Sequence, residues 1–336
     1  MKILLTGGLG YIGSHTAVEL IKAGHNAVVV DNLANSKIQT KTAIEKITGK
    51  KLKFYKLDLM DYAKLDKVFK KEKFDAVIHF AGLKSVNESI SIPEKYYSEN
   101  IGTMTNVLLC MAKYNVDKLV FSSSATVYQA GEKLPYSEKT KLGACNPYGE
   151  TKVMIEKILD DYSKAHKDAK IIILRYFNPV GAHESGLIGE DPNGRPNNLM
   201  PFITRVAVGK LPKLKIFGND YKTPDGTAVR DFVHVCDLAE AHVLALNKAD
   251  EIMGKRIYNI GAGKGYSVLE VVNCFNKYTS GHVDFEFAPR REGDVAEVYA
   301  SINLAKKELG YKPKRGLKEM CRSSLEYEIK NMANKK

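Results

Sequence analysis

The sequence predicts an α/β protein: a doubly wound parallel sheet joined to a second, smaller mixed α/β domain. Three observations lead there. Short β-branched runs alternate with amphipathic stretches through the first half of the chain. Several runs are apolar throughout, as expected for parallel strands covered on both faces. A glycine-rich turn follows the first run and opens the first helical pattern.

Strands are expected at 2–6 (KILLT), 26–30 (NAVVV), 52–56 (LKFYK), 75–79 (DAVIH), 117–121 (DKLVF) and 170–174 (KIIIL). Amphipathic helices are expected between them at 11–23, about 38–48, 61–72, 94–115 and 147–166. The texture then changes. Residues 179–201 are rich in Gly, Pro and Asn and predict a long functional loop system. Shorter elements follow: helices at 202–209, 237–248, 267–278, 303–309 and 317–331, and strands at 214–217, 231–235, 256–260 and 283–287. The domain division expected is 1–178 for the sheet and 179–336 for the smaller domain, with some exchange of segments.

The chain has 336 residues, 44% hydrophobic, enough for a substantial core. No stretch approaches the ~20 apolar residues of a membrane span. The N-terminus lacks the h-region and cleavage site of a signal peptide, so a cytoplasmic location is expected. Cys110, Cys145, Cys236, Cys274 and Cys321 are odd in number and far apart. That favours reduced thiols over a disulfide framework. No His/Cys/Asp group has ligand spacing, so no metal is expected, and His15, His79 and His234 are expected to be structural. The net charge is +12, but the basic residues are mostly scattered lysines without a nucleic-acid-binding pattern. The charge favours encounter with an anionic small molecule.

TGGLGYIG places Gly7, Gly10 and Gly13 between a strand and a helix. That spacing lets the backbone approach a pyrophosphate and sets its charge on the helix N-terminus. Asp31 ends the second strand, where a carboxylate accepts from an adenosine ribose and repels a 2′-phosphate. No Arg follows it, so NAD is expected over NADP. Asp58 ends the third strand and is either an adenine contact or a helix N-cap. Phe80, Ala81 and Gly82 follow the fourth strand, where small residues let a dinucleotide lie close, and Lys84 suits a phosphate or ribose.

Ser122, Ser123 and Ser124 follow the fifth strand, at the carboxyl end where such sheets bind ligands. NPYGETK comes next. Asn146 can cap a helix and Pro147 suits its first turn, which puts Tyr148 and Lys152 on one face. A nearby ammonium favours tyrosinate. Bringing a phenol from about 10 to near 7 needs roughly 4 kcal/mol of preferential stabilisation. Lysine and a positive nicotinamide ring are expected to supply it together, making Tyr148 a general base for a hydroxyl proton. Base, hydroxyl donor and hydride acceptor suggest alcohol–ketone chemistry.

These segments, with HFAGLK, SSSATVY and LRYFNPVGAH, resemble the extended short-chain dehydrogenase/reductases, whose cofactor domain is a Rossmann fold. RYFNPVGAHESGLIGEDP, NNLMP, IFGNDY, DGTAVRDFVHV and APRREGD resemble the UDP-glucose 4-epimerase family more narrowly, nearly end to end. The resemblance implies a homodimer packed through helices 94–115 and 147–166, with tightly held NAD and a UDP-hexose substrate. It implies Tyr148 as base for the sugar 4-hydroxyl, Ser124 as bridge to the 4-oxygen, and Lys152 on the nicotinamide ribose. It further assigns Tyr11, Ile12, Asn32, Asn35, Ser36, Leu59, Asn100, Ser122 and Phe177 to the cofactor. To the substrate it assigns Asn178, Asn198 and Leu199 around the sugar and diphosphate, and Lys215, Ile216 and Phe217 around uracil. Arg230 and Arg291 match diphosphate contacts and Asp294 a uridine-ribose contact. Without the resemblance, Arg230 reads equally well as an ion-pair partner of Asp231.

Some positions depart from the pattern. Gln129 stands where Gly is usual, and Glu99 where many members carry Asn. Val298 stands where members restricted to UDP-glucose and UDP-galactose carry a bulky tyrosine. Either N-acetylated UDP-hexoses fit as well, or Tyr299 fills the space. A 4,6-dehydratase would need an acid/base pair after the active-site hydroxyl, and Ala125 and Thr126 cannot supply it. A non-catalytic NAD-binding protein would be expected to lack the tyrosine or the lysine.

Overall fold

The computed structural model describes residues 1–192, 196, 198–291 and 293–333. Its main sheet is parallel and contains β1 (Lys2–Thr6), β2 (Asn26–Asp31), β3 (Lys53–Lys56), β4 (Ala76–His79), β5 (Lys118–Ser124) and β6 (Lys170–Tyr176). The helices are α1 (Tyr11–Lys22), α2 (Gln39–Thr48), α3 (Tyr62–Glu72), α4 (Val86–Ser91), α5 (Pro93–Lys113) and α6 (Pro147–Ala165). After β6 come β7 (Asn178–Val180), α7 (Leu199–Ala207), β8 (Leu214–Phe217), β9 (Val229–Arg230), β10 (Phe232–His234) and α8 (Val235–Lys248). The chain finishes with β11 (Gly254–Ile260), β12 (Tyr266–Ser267), α9 (Val268–Tyr278), β13 (Phe285–Ala288), β14 (Glu297–Val298), α10 (Asn303–Leu309) and α11 (Leu317–Ala333).

The large sheet runs β11-β6-β5-β4-β1-β2-β3. Successive side chains point to opposite faces, and both faces are covered. Ile3, Leu5 and Val29 enter one core, while Leu4, Val28 and Val30 enter the other. That double burial is why these strands are apolar throughout. The order reverses at β1, which lies between β4 and β2. The open crevice of such a sheet lies there, beyond the strands' carboxyl ends.

Residues 235–260 follow 178 in the chain but lie with the large sheet. β11 pairs with β6 from Gly254 opposite Lys170 to Ile260 opposite Tyr176. Helix α8 packs against α1. Tyr258 and Ile260 are buried in the main core and give the return strand its driving force. The chain therefore leaves the large sheet, builds part of the smaller lobe, and returns before completing it. A third core lies in the smaller lobe, where Ile203, Ile216, Val271, Phe275 and Leu325 bring α7, β8, α9 and α11 together.

Two other boundaries bear on the site. Strand β5 was expected to end at 121 but continues through the serines, with Ser122, Ser123 and Ser124 opposite Leu174, Arg175 and Tyr176. The stretch expected as loop at 179–201 contains most of β7 and the start of α7.

Candidate active site

The first turn is built for close approach. Gly7 has φ +66°, and a Cβ there would meet the Ala81 amide nitrogen at 2.8 Å. A Cβ on Gly13 would lie 2.6 Å from the Gly7 carbonyl oxygen, so α1 presses directly on the turn. Helix α1 starts at Tyr11 with Gly10 as its N-cap, no capping side chain and no acid in its first turn. Its N-terminal amides, Tyr11, Ile12 and Gly13 among them, are thus left to an external anion. The Tyr11 hydroxyl donates to the Gly181 carbonyl at 2.6 Å and ties this helix to the segment after β7.

Asp31 is buried at the end of β2. Its carboxylate accepts from Leu9 N (3.1 Å), Leu33 N (2.9 Å) and Ser36 Oγ (2.7 Å). It therefore organises the loop that holds Asn32, Asn35 and Ser36. Asp58 accepts from Asn32 Nδ2 at 3.1 Å and from Met60 N at 2.9 Å. The cap of α3 is Asp61, which accepts from Lys64 N, so the N-cap reading of Asp58 is excluded. Leu59 next door is buried. Asn100 is buried and bonds both Leu83 N (2.7 Å) and Leu83 O (3.1 Å). Its amide also donates to Thr151 Oγ1 at 3.0 Å, and Thr151 donates to the Tyr148 carbonyl at 2.7 Å. Asn100 thereby fastens the Phe80–Gly82 turn to α6. Lys84 is half exposed and lies 3.5 Å from Glu190.

Helix α6 begins as its sequence predicts. The Asn146 side chain accepts from Gly149 N at 2.8 Å, with Pro147 in the first turn. A Cβ on Gly149 would stand 2.8 Å from the Thr126 carbonyl oxygen. That contact lets the helix start lie against the turn carrying Ser124. Ser124 Oγ accepts from Thr126 N (3.2 Å) and Thr126 Oγ1 (3.0 Å), and its hydroxyl stands beside the Tyr148 phenol, where it favours the tyrosinate. Lys152 is buried, with Nζ donating to the Ser122 carbonyl at 2.9 Å. The ammonium sits 4.9 Å over the Phe121 ring and 5.7 Å over the Tyr148 ring.

The electrostatics show how the protein alone sets the tyrosine. Burial raises the Tyr148 phenol above its ordinary value, and the Ser124 hydroxyl only partly opposes this. Lys152 lies against the face of the ring, bonded to the strand, rather than at the phenol oxygen. Burial pulls Lys152 down to about 8, with Glu156 opposing it. Residues 148 and 152 are therefore close, but the lysine by itself does not make the tyrosine a base at neutral pH.

A second cluster lies on β9 and on the segment between β13 and β14. Arg291 Nε lies 2.9 Å from Asp294, and Arg230 Nη2 4.0 Å from the same carboxylate. One carboxylate thus serves two guanidinium groups and leaves a positive excess. The Arg291 guanidinium also lies 4.9 Å over the Phe217 ring. Asp231 takes no part in this pairing. It is buried and accepts from the amides of Ala262 (2.6 Å), Gly263 (3.0 Å) and Ala300 (3.2 Å). Burial pushes Asp231 up to about 6 despite those amides. Ile216 is buried beneath Phe217, and Lys215 is exposed, 3.8 Å from Glu286. Asn198 reaches Glu190 at 2.6 Å, and Leu199 opens α7. Asn178 is exposed at the start of β7, just after buried Phe177.

The histidines have protein partners. His79 Nδ1 bonds Thr6 Oγ1 (2.9 Å), His15 Nδ1 bonds the Tyr11 carbonyl (2.7 Å) and His234 Nδ1 accepts from Cys236 N (3.1 Å). Burial lowers each to about 3, so all three are neutral at physiological pH. Among the described residues, no group of three or more His, Cys, Asp or Glu could hold a metal ion. No described helix is long and apolar enough to cross a membrane.

Residues 3–261 match the model of the NAD dependent epimerase/dehydratase family. The chain belongs to this family. It is similar to a UDP-glucose 4-epimerase from Bacillus subtilis (strain 168), 54% identical over 99% of this chain and 98% of the relative. It also superposes on a UDP-glucose 4-epimerase from Stenotrophomonas maltophila with bound NAD and formylated UDP-arabinopyranose. There the TM-score is 0.97, with 45% identity and both chains fully covered. A UDP-Glc/GlcNAc 4-epimerase from Campylobacter jejuni gives a TM-score of 0.86 at 37% identity, covering 98% of this chain and 99% of that one.

The family's NAD fits the residues in place. The cradle at Gly7 and Gly13 would be filled by a Cβ, the N-terminus of α1 lacks a side-chain cap, and Asp31 ends β2. The sequence had left Ser123, Glu156, Arg175 and Thr151 unassigned. One signal was available: Glu156 stands four residues after Lys152, hence on the same helical face.

Proposed function

We propose that this protein interconverts UDP-galactose and UDP-glucose by inverting C4 through a transient 4-keto sugar, with NAD held throughout the cycle. The observation that carries this is the grouping of Ser124, Tyr148 and Lys152 at the end of β5, beside the cofactor cradle. The Tyr148 oxygen takes the proton from the sugar 4-hydroxyl and later returns it. Ser124, beside Tyr148, orients the 4-oxygen along that path. Lys152 brings a positive charge against the tyrosine and a donor toward the nicotinamide ribose. Bound NAD supplies a hydride acceptor, and in its reduced form a hydride donor, at C4. Arg230 and Arg291 hold the diphosphate, with Phe217 against uracil and Asp294 on the uridine ribose, so the hexose can present either face while its anchor stays fixed.

The dehydratase reading gains no support, because the Thr126 hydroxyl is bonded to Ser124 and Ala125 carries no acid. The test is direct. Purified protein given UDP-galactose, with no NAD added, is expected to form UDP-glucose without accumulating oxidised product. No conversion, with or without added NAD, would overturn the proposal.

We further propose that N-acetylated UDP-hexoses are accepted. Val298 pairs with Arg230 across β14 and β9, so their side chains share a face. Tyr299 takes the opposite face, its ring 3.3 Å from where a Gly265 Cβ would stand, and does not fill the space beside Val298. UDP-N-acetylgalactosamine is expected to turn over, and Val298→Tyr to lower its turnover relative to UDP-galactose by about tenfold or more. An unchanged ratio contradicts this. The protein is proposed to act as a homodimer in galactose metabolism, in the cytoplasm. Exposed Leu109 on α5 and Met154 on α6 support the pairing, and five free cysteines suit a reducing compartment.

A further inference from the structure

Behind the reacting groups lies a buried charge pair that the mechanism above does not use. Glu156 stands one turn after Lys152 on α6, and Arg175 lies on β6; both are buried. Arg175 grips the carboxylate with two nitrogens, Nε to Oε1 at 3.0 Å and Nη2 to Oε2 at 2.6 Å. Ser123 Oγ donates to Oε1 at 2.6 Å. The remaining guanidinium nitrogen donates to Tyr128 OH (3.1 Å) and to the Glu138 carbonyl (3.2 Å). Replacing such a pair by apolar residues is often neutral for stability, so stability alone does not account for it. Its place does. Ser123 sits between the residue whose carbonyl holds Lys152 and the residue whose hydroxyl lies beside the Tyr148 phenol.

We propose that Glu156 is a positioning residue for proton transfer: through Ser123 it locks the serine end of β5 to α6, and its charge keeps Lys152 cationic beside Tyr148. The inference rests on the epimerase reading given above. Several groups face Lys152. Tyr148 and Glu156 come from its own helix, Phe121 and the Ser122 carbonyl from β5, and His79 from β4. Burial keeps His79 neutral, so Glu156 is the anion that offsets the desolvation of the lysine. Without that anion, and with Arg175 left unneutralised, Lys152 loses its proton at a lower pH, and activity fails sooner on the alkaline side.

The test compares pH–rate profiles for UDP-galactose conversion. In Glu156→Gln the alkaline limb is expected to move toward acid by about one unit, with kcat down about tenfold and KM within about twofold. Ser123→Ala removes the clamp and keeps the charge. It is expected to lower kcat about threefold, with the profile in place. The double substitution Glu156→Leu with Arg175→Met removes both charges, guards against misfolding, and is expected to give a displacement in the same direction but smaller, because no unneutralised guanidinium remains. A parental profile in either Glu156 variant, or an unchanged kcat in Ser123→Ala, overturns the inference. If the parent protein itself fails to convert UDP-galactose, the reading beneath it fails instead.

Discussion

Replacing Tyr148 by Phe is expected to lower the rate of UDP-galactose conversion by about a thousandfold while leaving bound NAD and the fold in place. The ring stays in its packing against Lys152, and only the phenol oxygen beside Ser124 is lost. The same geometry fixes the sign of the pH dependence. Burial raises the phenol in the protein alone, so the base form is scarce at low pH and the rate should climb as pH rises. Single-turnover measurement with UDP-galactose checks both points. A rate within about tenfold of the parent would falsify the assignment of the base.

The second large effect lies at Arg230. Arg230→Met is expected to raise KM for UDP-galactose, and the inhibition constant for UDP, by about 10- to 100-fold together, with kcat little changed. Burial lowers the Arg230 guanidinium, and among the described residues Asp294, at a long 4.0 Å, is its one carboxylate partner. A guanidinium so desolvated, and so little neutralised, is suited to a diphosphate. The substitution leaves Arg291 with Asp294 at 2.9 Å, which removes one cation without exposing an unpaired carboxylate. A KM unchanged by Arg230→Met would place the diphosphate elsewhere.

Much of this was legible in the sequence, for definite reasons. Strands β1 and β2 could be read because both faces are covered, so no polar residue interrupts them. Helix α6 announced its start because Asn146 and Pro147 each do one local job. What escaped depends on contacts distant in the chain. Strands β9, β12 and β14 have two residues each and exist only by pairing with one another. The serines at the end of β5 have weak strand propensity and are held extended by β6. Neighbours in sequence were ambiguous twice. Arg230 and Asp231 point to opposite faces of one extended segment, so the pair cannot form. Tyr148 and Lys152 do share a face, but spacing carries no information about burial, and burial dominates the phenol. The motif residues Asn197 and Glu292 lie outside the described residues.

The return of β11 to the large sheet also governs how the chain is made. During synthesis β6 emerges long before its partner, and residues Ile171 to Leu174 wait beside an open edge. Until the segment ending at Ile260 has left the ribosome, that edge can pair with another nascent chain. The nucleotide cradle at the N-terminus can form early, but the sheet that supports Arg175 and Phe177 closes only after a long loop has been brought together. Chains interrupted before 254 should therefore aggregate rather than persist as a free cofactor-binding half.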